Sequence, residues 1–154
     1  MLKARALPPN KQGPAIGFKG KTVIVTGAGA GLGRSYALMF GKLGANVCVN
    51  DVSKDNAEKV VEEVKARMSS SPPYPACLIQ IVVGAKAVAA VCSAEEGETI
   101  IKIAVDAFGT VHILIPNAGI LRDKAFVNMD EKMWDQVFAV HLRGNYKVCR
   151  TVLS

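Results

Sequence analysis

The sequence contains no apolar run of the roughly 18 residues that a membrane-crossing helix needs. Its longest apolar stretches are interrupted by Gly, Lys or Asp. It also lacks a Cys-x-x-Cys pair. The four cysteines, Cys48, Cys77, Cys92 and Cys149, are spaced as neither a zinc site nor a redox dithiol. Three of them sit in apolar stretches that read as secondary-structure elements, so they are expected to be buried thiols of a reducing compartment. The basic amino end has no apolar segment behind it, so it does not read as a secretory signal. Thr151-Val152-Leu153-Ser154 is not a Ser-Lys-Leu address. Charged residues make up 21% and apolar residues 50%, a balance that excludes a chain disordered throughout and suits one domain with a core.

Net charge is +6. Part of the excess lies in Lys3, Arg5, Lys11, Lys19 and Lys21, a stretch without Asp or Glu. Such charge attracts anionic ligands, but a solvated tail with ordinary surface lysines accounts for it. No clustered basic patch or reading motif points to nucleic acid.

Residues 1–17, with Pro8, Pro9 and Pro14, read as a linker or tail. Thr22 to Thr26 is a β-branched run of the kind found in a parallel strand covered on both faces. A Gly-rich turn comes directly after it. Ser35 to Leu43 has helical content, and Gly44 is placed to end it. Ala45 to Asn50 forms a second buried strand with Asp51 at its carboxyl end. Lys54 to Arg67 sets Val60, Val61 and Val64 among charges as an amphipathic helix does. Strand, turn, helix, strand, helix predicts a parallel sheet with right-handed crossovers. Lys86 to Cys92 is expected to be a third strand, Ala94 to Phe108 a third helix, and Val111 to Ile115 a fourth strand. A last helix is expected from Asp130, with Trp134, Val137, Phe138, His141, Val148, Cys149 and Val152 on one stripe.

The turn reads Thr26-Gly27-Ala28-Gly29-Ala30-Gly31-Leu32-Gly33, or T-G-x-x-x-G-x-G. Glycine lets a backbone approach a pyrophosphate, and the helix after the turn points its free N–H groups and positive dipole at the phosphates. The motif comes after a strand, opens a helix, and has Asp51 eighteen residues after Gly33. Asp51 can accept from both ribose hydroxyls and would repel a 2′-phosphate, so the expected cofactor is NAD rather than NADP. The plainer alternative is a Gly-rich turn that binds nothing. Methyltransferase domains also pair such a turn with an acid after the second strand. Thr26 and the later Asn-Ala-Gly weigh against that.

With Thr26-Gly27-x-x-x-Gly31-x-Gly33, Asp51 and Asn117-Ala118-Gly119 in this order, the sequence resembles the short-chain dehydrogenase/reductase family over residues 18–154. Within it, Gly119-Ile120-Leu121-Arg122-Asp123-Lys124 and Val140-His141-Leu142-Arg143-Gly144 resemble the (3R)-hydroxyacyl-CoA dehydrogenase domains of peroxisomal multifunctional β-oxidation enzymes. The resemblance extends to the fungal form, and it implies that residues 1–17 suit the start of that form's second dehydrogenase domain. The resemblance implies a Rossmann-type doubly wound α/β fold, NAD-dependent oxidation of 3-hydroxyacyl-CoA, a peroxisomal location, and dimers of the full-length protein. It implies cofactor-binding roles for Thr26, Gly27, Gly31, Leu32, Gly33, Asp51, Asn117, Ala118 and Gly119. Pro116 stands where the family usually has a first Asn.

His141 stands where the family usually has a relay asparagine. Its stripe predicts partial burial. Either a place in a proton relay or a satisfied backbone partner is open to it. No role is expected of His112.

The family's general acid/base set includes Tyr-x-x-x-Lys, and this sequence contains none: Tyr36, Tyr74 and Tyr146 have Phe40, Leu78 and Arg150 four residues on. The chain therefore reads as the cofactor half of a dehydrogenase, truncated after the fourth strand and its next helix, with that strand left as an exposed edge. A catalytically inactive nucleotide-binding or assembly module is the alternative. Ser69 to Val83 reads as an insertion of about fifteen residues, longer than the usual ~2–6 of such loops.

Overall fold

A computed structural model describes residues 17–66 and 86–153. The expected tail over 1–17, apart from Gly17, and the expected insertion over 69–83 lie outside the described residues.

Four parallel strands form one sheet in the order β3-β2-β1-β4. They are β1 (Thr22–Val25), β2 (Asn46–Asp51), β3 (Ala87–Val91) and β4 (Ile113–Ile115). The register sets Ile24 beside Cys48 and beside Leu114, and Cys48 beside Val88. Helices α1 (Gly31–Lys42), α2 (Lys54–Ala66) and α3 (Gly97–Phe108) make the crossovers. The expected doubly wound arrangement is observed.

Strand side chains alternate between two cores, as a period of two requires. Val23, Val25, Val47 and Val49 pack with Ala37, Phe40, Val60 and Val64 of α1 and α2. Ile24, Cys48 and Ala90 pack on the other face with Ile100, Ala104 and Val148. Because both faces are covered, β1 and β2 read as continuous apolar runs rather than as alternations.

Helix α1 ends in a Schellman cap: Ala45 N–H donates to Phe40 O at 3.0 Å, and Gly44 N–H to Gly41 O at 2.9 Å. It begins at Gly31, four residues before the expected start, so its first turn is made by the Gly-rich motif itself. Helix α2 lies against it. A Cβ on Gly41 would fall 2.7 Å from Val64. The Arg34 guanidinium contacts Glu63 Oε2 through Nη2 at 2.6 Å and Nε at 2.8 Å.

The carboxyl-terminal region departs from expectation. One continuous helix is replaced by α4 (Glu131–Phe138), a π-helical segment (Ala139–Gly144) and α5 (Asn145–Leu153). Asp130 does cap the start, accepting from Met133 N–H at 2.7 Å. The i→i+5 bonding of the π segment rotates α5 relative to α4, so a stripe laid out at 3.6 residues per turn does not persist. Of that stripe only Val148 is buried; Trp134 is 45% and Phe138 41% exposed. Close packing of α5 on α3 is made at Gly97, where a Cβ would meet the Lys147 and Val148 backbone at 2.8 Å.

Candidate cofactor site

The site is built where the carboxyl ends of β1, β2 and β4 meet the amino end of α1. Thr26 N–H continues the β1–β4 ladder to Ile115 O at 3.1 Å, and Ala28 N–H reaches Asn50 O at 2.8 Å. The turn is thus tied to both neighbouring strands before α1 begins.

Gly27 and Gly31 have φ of +60° and +54°, a region that L side chains rarely adopt. Gly27 is also crowded, since a Cβ there would fall 2.8 Å from Ala118 Cα. Gly33 is required by space alone. Its Cβ would collide with Gly27 O and lie 2.6 Å from Asn117 Nδ2. The N-cap of α1 is Ala30, with no side-chain cap and no acid in the first turn. The first N–H groups of the helix are therefore left to a ligand or to water. Leu32 lies on this rim, 69% exposed. An uncapped helix end behind glycines that a Cβ would overfill suits a pyrophosphate.

Asn117 fixes the turn from the β4 side. Its Nδ2 donates to Thr26 O at 3.0 Å and Gly27 O at 3.2 Å. Ala118 N–H donates back to Thr26 Oγ1 at 3.0 Å. Pro116 lies just past β4 and costs the ladder nothing. Asn117 N–H bonds Ile115 O at 2.9 Å across it, closing a three-residue turn for which the fixed φ of proline is suited.

Asp51 ends β2, half-buried beside the turn. Gly29 N–H donates to its Oδ2 at 2.9 Å and Ser53 N–H to its Oδ1 at 2.9 Å. Gly29 was a free position in the sequence motif, and its partner lies 22 residues away. Asn50 lies outside that motif as well. It is buried to 1% exposure, and its Nδ2 bridges Ala90 O and Cys92 O at 2.9 Å each, fastening β2 to the end of β3.

His141 is exposed rather than partly buried, because α4 and the π segment stand away from the sheet. Its ring fills the space that Gly119 leaves, with a Cβ there lying 2.7 Å from Cε1. Nε2 is 3.0 Å from Ile120 N and 2.9 Å from Ile120 O, accepting from one or donating to the other according to tautomer. Of the two roles open to it, the geometry provides the backbone partner.

The cysteines meet expectation only in part, and Cys77 lies outside the described residues. Cys48 is buried, and burial pushes its thiol from the ordinary 9.0 up to about 12, with a smaller push from Cys92. Cys92, just past β3, and Cys149, on α5, are only half-buried. Burial and the nearby Glu96 raise the Cys92 thiol.

The short chain dehydrogenase family model matches residues 21–154. The chain belongs to the short-chain dehydrogenase family. It is 48% identical over 144 residues to the peroxisomal hydratase-dehydrogenase-epimerase of Neurospora crassa, covering 94% of this chain and 14% of that protein. It is 40% identical over 140 residues to a hydroxyacyl-CoA dehydrogenase of Mycobacterium tuberculosis, covering 89% of this chain and 40% of that one. A crystal structure of a short chain dehydrogenase from Mycobacterium avium superposes with a TM-score of 0.73 at 35% identity, covering 88% of this chain and 45% of that one. The chain therefore spans less than half the length of these relatives. As a member of this family it is related to dinucleotide-dependent oxidoreductases. No described helix is long and apolar enough to cross a membrane.

Proposed function

We propose that this chain holds the adenosine and pyrophosphate of NAD for a peroxisomal 3-hydroxyacyl-CoA dehydrogenase. The observation that carries the reading is the open amino end of α1 with Asp51 beside it. Gly27, Gly31 and Gly33 bring backbone N–H groups to the pyrophosphate, and Leu32 covers one side of it. Thr26 and Asn117 to Gly119 keep that turn in place. Asp51 accepts from the ribose hydroxyls, and its charge excludes a 2′-phosphate. When bound, NAD supplies the acceptor for the hydride from C3 of the hydroxyacyl group. His141 positions the Gly119–Ile120 backbone from the far side.

The peroxisomal and hydroxyacyl-CoA relatives support the substrate class and the compartment. On this reading the family's acid/base residues belong to the part of the relatives' length that this chain does not span, in a protein that pairs as a dimer. Expressing the continuing reading frame and monitoring NADH formation from 3-hydroxyacyl-CoA thioesters tests this. Turnover abolished by Asp51→Ala supports it; a full-length protein with no Tyr-x-x-x-Lys and no turnover sinks it. A second reading is a nucleotide-binding module without chemistry of its own. That reading predicts NAD binding by the full-length protein with no NADH formed.

A further inference from the structure

Gly29 has a different reason to be glycine from its neighbours in the turn. Its φ lies outside the left-handed region, so any residue could adopt its backbone. It is buried, and what it lacks room for is specific: a Cβ would lie 2.6 Å from Asp51 Oδ2, 2.8 Å from Asp51 Cγ and 2.7 Å from Asn56 Cβ. Its N–H meanwhile donates to that same Oδ2 at 2.9 Å. The other oxygen takes the Ser53 N–H at 2.9 Å, and Ser53 O accepts from Ala57 N–H at 3.0 Å at the start of α2. Each carboxylate oxygen is thus held by one backbone amide, one from the turn and one from the entry to α2. An ionised carboxylate has about four acceptor positions, so each oxygen keeps capacity for a further donor.

We propose that Gly29 is a positioning residue for the cofactor's adenosine ribose: its amide aims the Asp51 carboxylate, and its missing side chain is the space that carboxylate fills. The inference rests on the NAD reading and adds to it. The middle glycine of the turn serves the ribose diol through Asp51, and the outer glycines serve the phosphates. An alanine at 29 needs no left-handed backbone, but it must displace the Asp51 carboxylate and press on Asn56 Cβ at the start of α2, so recognition of the diol fails while the pyrophosphate site survives.

The test titrates the chain with ADP and with 2′,3′-dideoxy-ADP, which lacks both hydroxyls. A hydrogen bond to a charged group is worth roughly tenfold or more, so the wild-type chain is expected to prefer ADP by about that factor. Gly29→Ala is expected to lose the preference while keeping its affinity for the dideoxy analogue within about twofold. In an Asp51→Ser background, Gly29→Ala is expected to have no further effect, the non-additivity of residues that act together. A preference retained in Gly29→Ala, or an equal loss for both ligands, overturns the inference and leaves the NAD reading standing. A wild-type chain that binds neither ligand overturns both. The wild-type Gly29 amide proton offers a readout that does not depend on the variant folding. As a donor to a charged acceptor it is expected downfield, moving upfield in Asp51→Ser; a resonance that does not move contradicts the proposal.

Discussion

Asn117 and Thr26, 91 residues apart in the chain, hold one another at the end of the sheet: the Asn117 side-chain amide donates to Thr26 O at 3.0 Å. The same amide reaches Gly27 O, and Thr26 Oγ1 accepts from Ala118 N–H. The segment just past β4 therefore sets the shape of the turn after β1.

Asn117→Ala removes two hydrogen bonds from carbonyls at the edge of the core and is expected to cost ~1–3 kcal/mol in urea unfolding. Asn117→Asp is expected to be worse, because an acceptor-only carboxylate would then face two carbonyl oxygens. Equal stability of the two variants would show that the contact with Thr26 and Gly27 is incidental.

A second relationship closes the opposite end of the same strand pair. Thr22 N–H donates to His112 Nδ1 at 3.0 Å, and His112 N–H donates to Thr22 O at 3.0 Å. Thr22 is fully buried. His112→Leu leaves its amide without that acceptor and is expected to cost ~1–3 kcal/mol. His112→Asn, which keeps an acceptor near the same place, is expected to recover part of the loss. Thermal melts of the two variants check the order; an Asn variant no more stable than Leu contradicts it.

The strands and the turn are legible in the sequence because each is a local pattern, and the alternation of strand with helix is what makes the sheet parallel. Val23 to Val25 and Val47 to Val49 are buried on both faces, and such strands read as unbroken apolar runs. Helix α2 was legible because Val60, Val61 and Val64 recur at helical spacing among charges. The features that were missed depend on partners distant in sequence. Gly29 is explained only by Asp51, Asn50 by Ala90 and Cys92, and His112 by Thr22. The exposure of His141 was missed for a different reason. Residues 130–153 show a helical period, but a period does not reveal a π segment or say that a helix stands off the sheet.

The buried thiol of Cys48 makes stability depend on alkaline pH. With its pKa raised from 9.0 to about 12, the folded state keeps a proton that the unfolded state releases. Its contribution is complete below the unfolded pKa and is lost as pH rises from there toward the folded value, at ~1.4 kcal/mol per pH unit in that window. Urea unfolding above pH 9 should show a downward slope that is shallower in Cys48→Ala. An identical slope in both proteins would mean that Cys48 is not the source.

Whether the Thr26–Gly33 turn and Asp51 form an NAD site is tested most directly by thermal unfolding of this chain with NAD, NADP or S-adenosylmethionine. A ligand at 100 times its Kd stabilises the folded state by about 2.7 kcal/mol. An NAD site predicts a rise in melting temperature with NAD, a smaller one with NADP, and loss of the NAD effect in Asp51→Ala. No shift with NAD, together with a clear shift from S-adenosylmethionine, would contradict it.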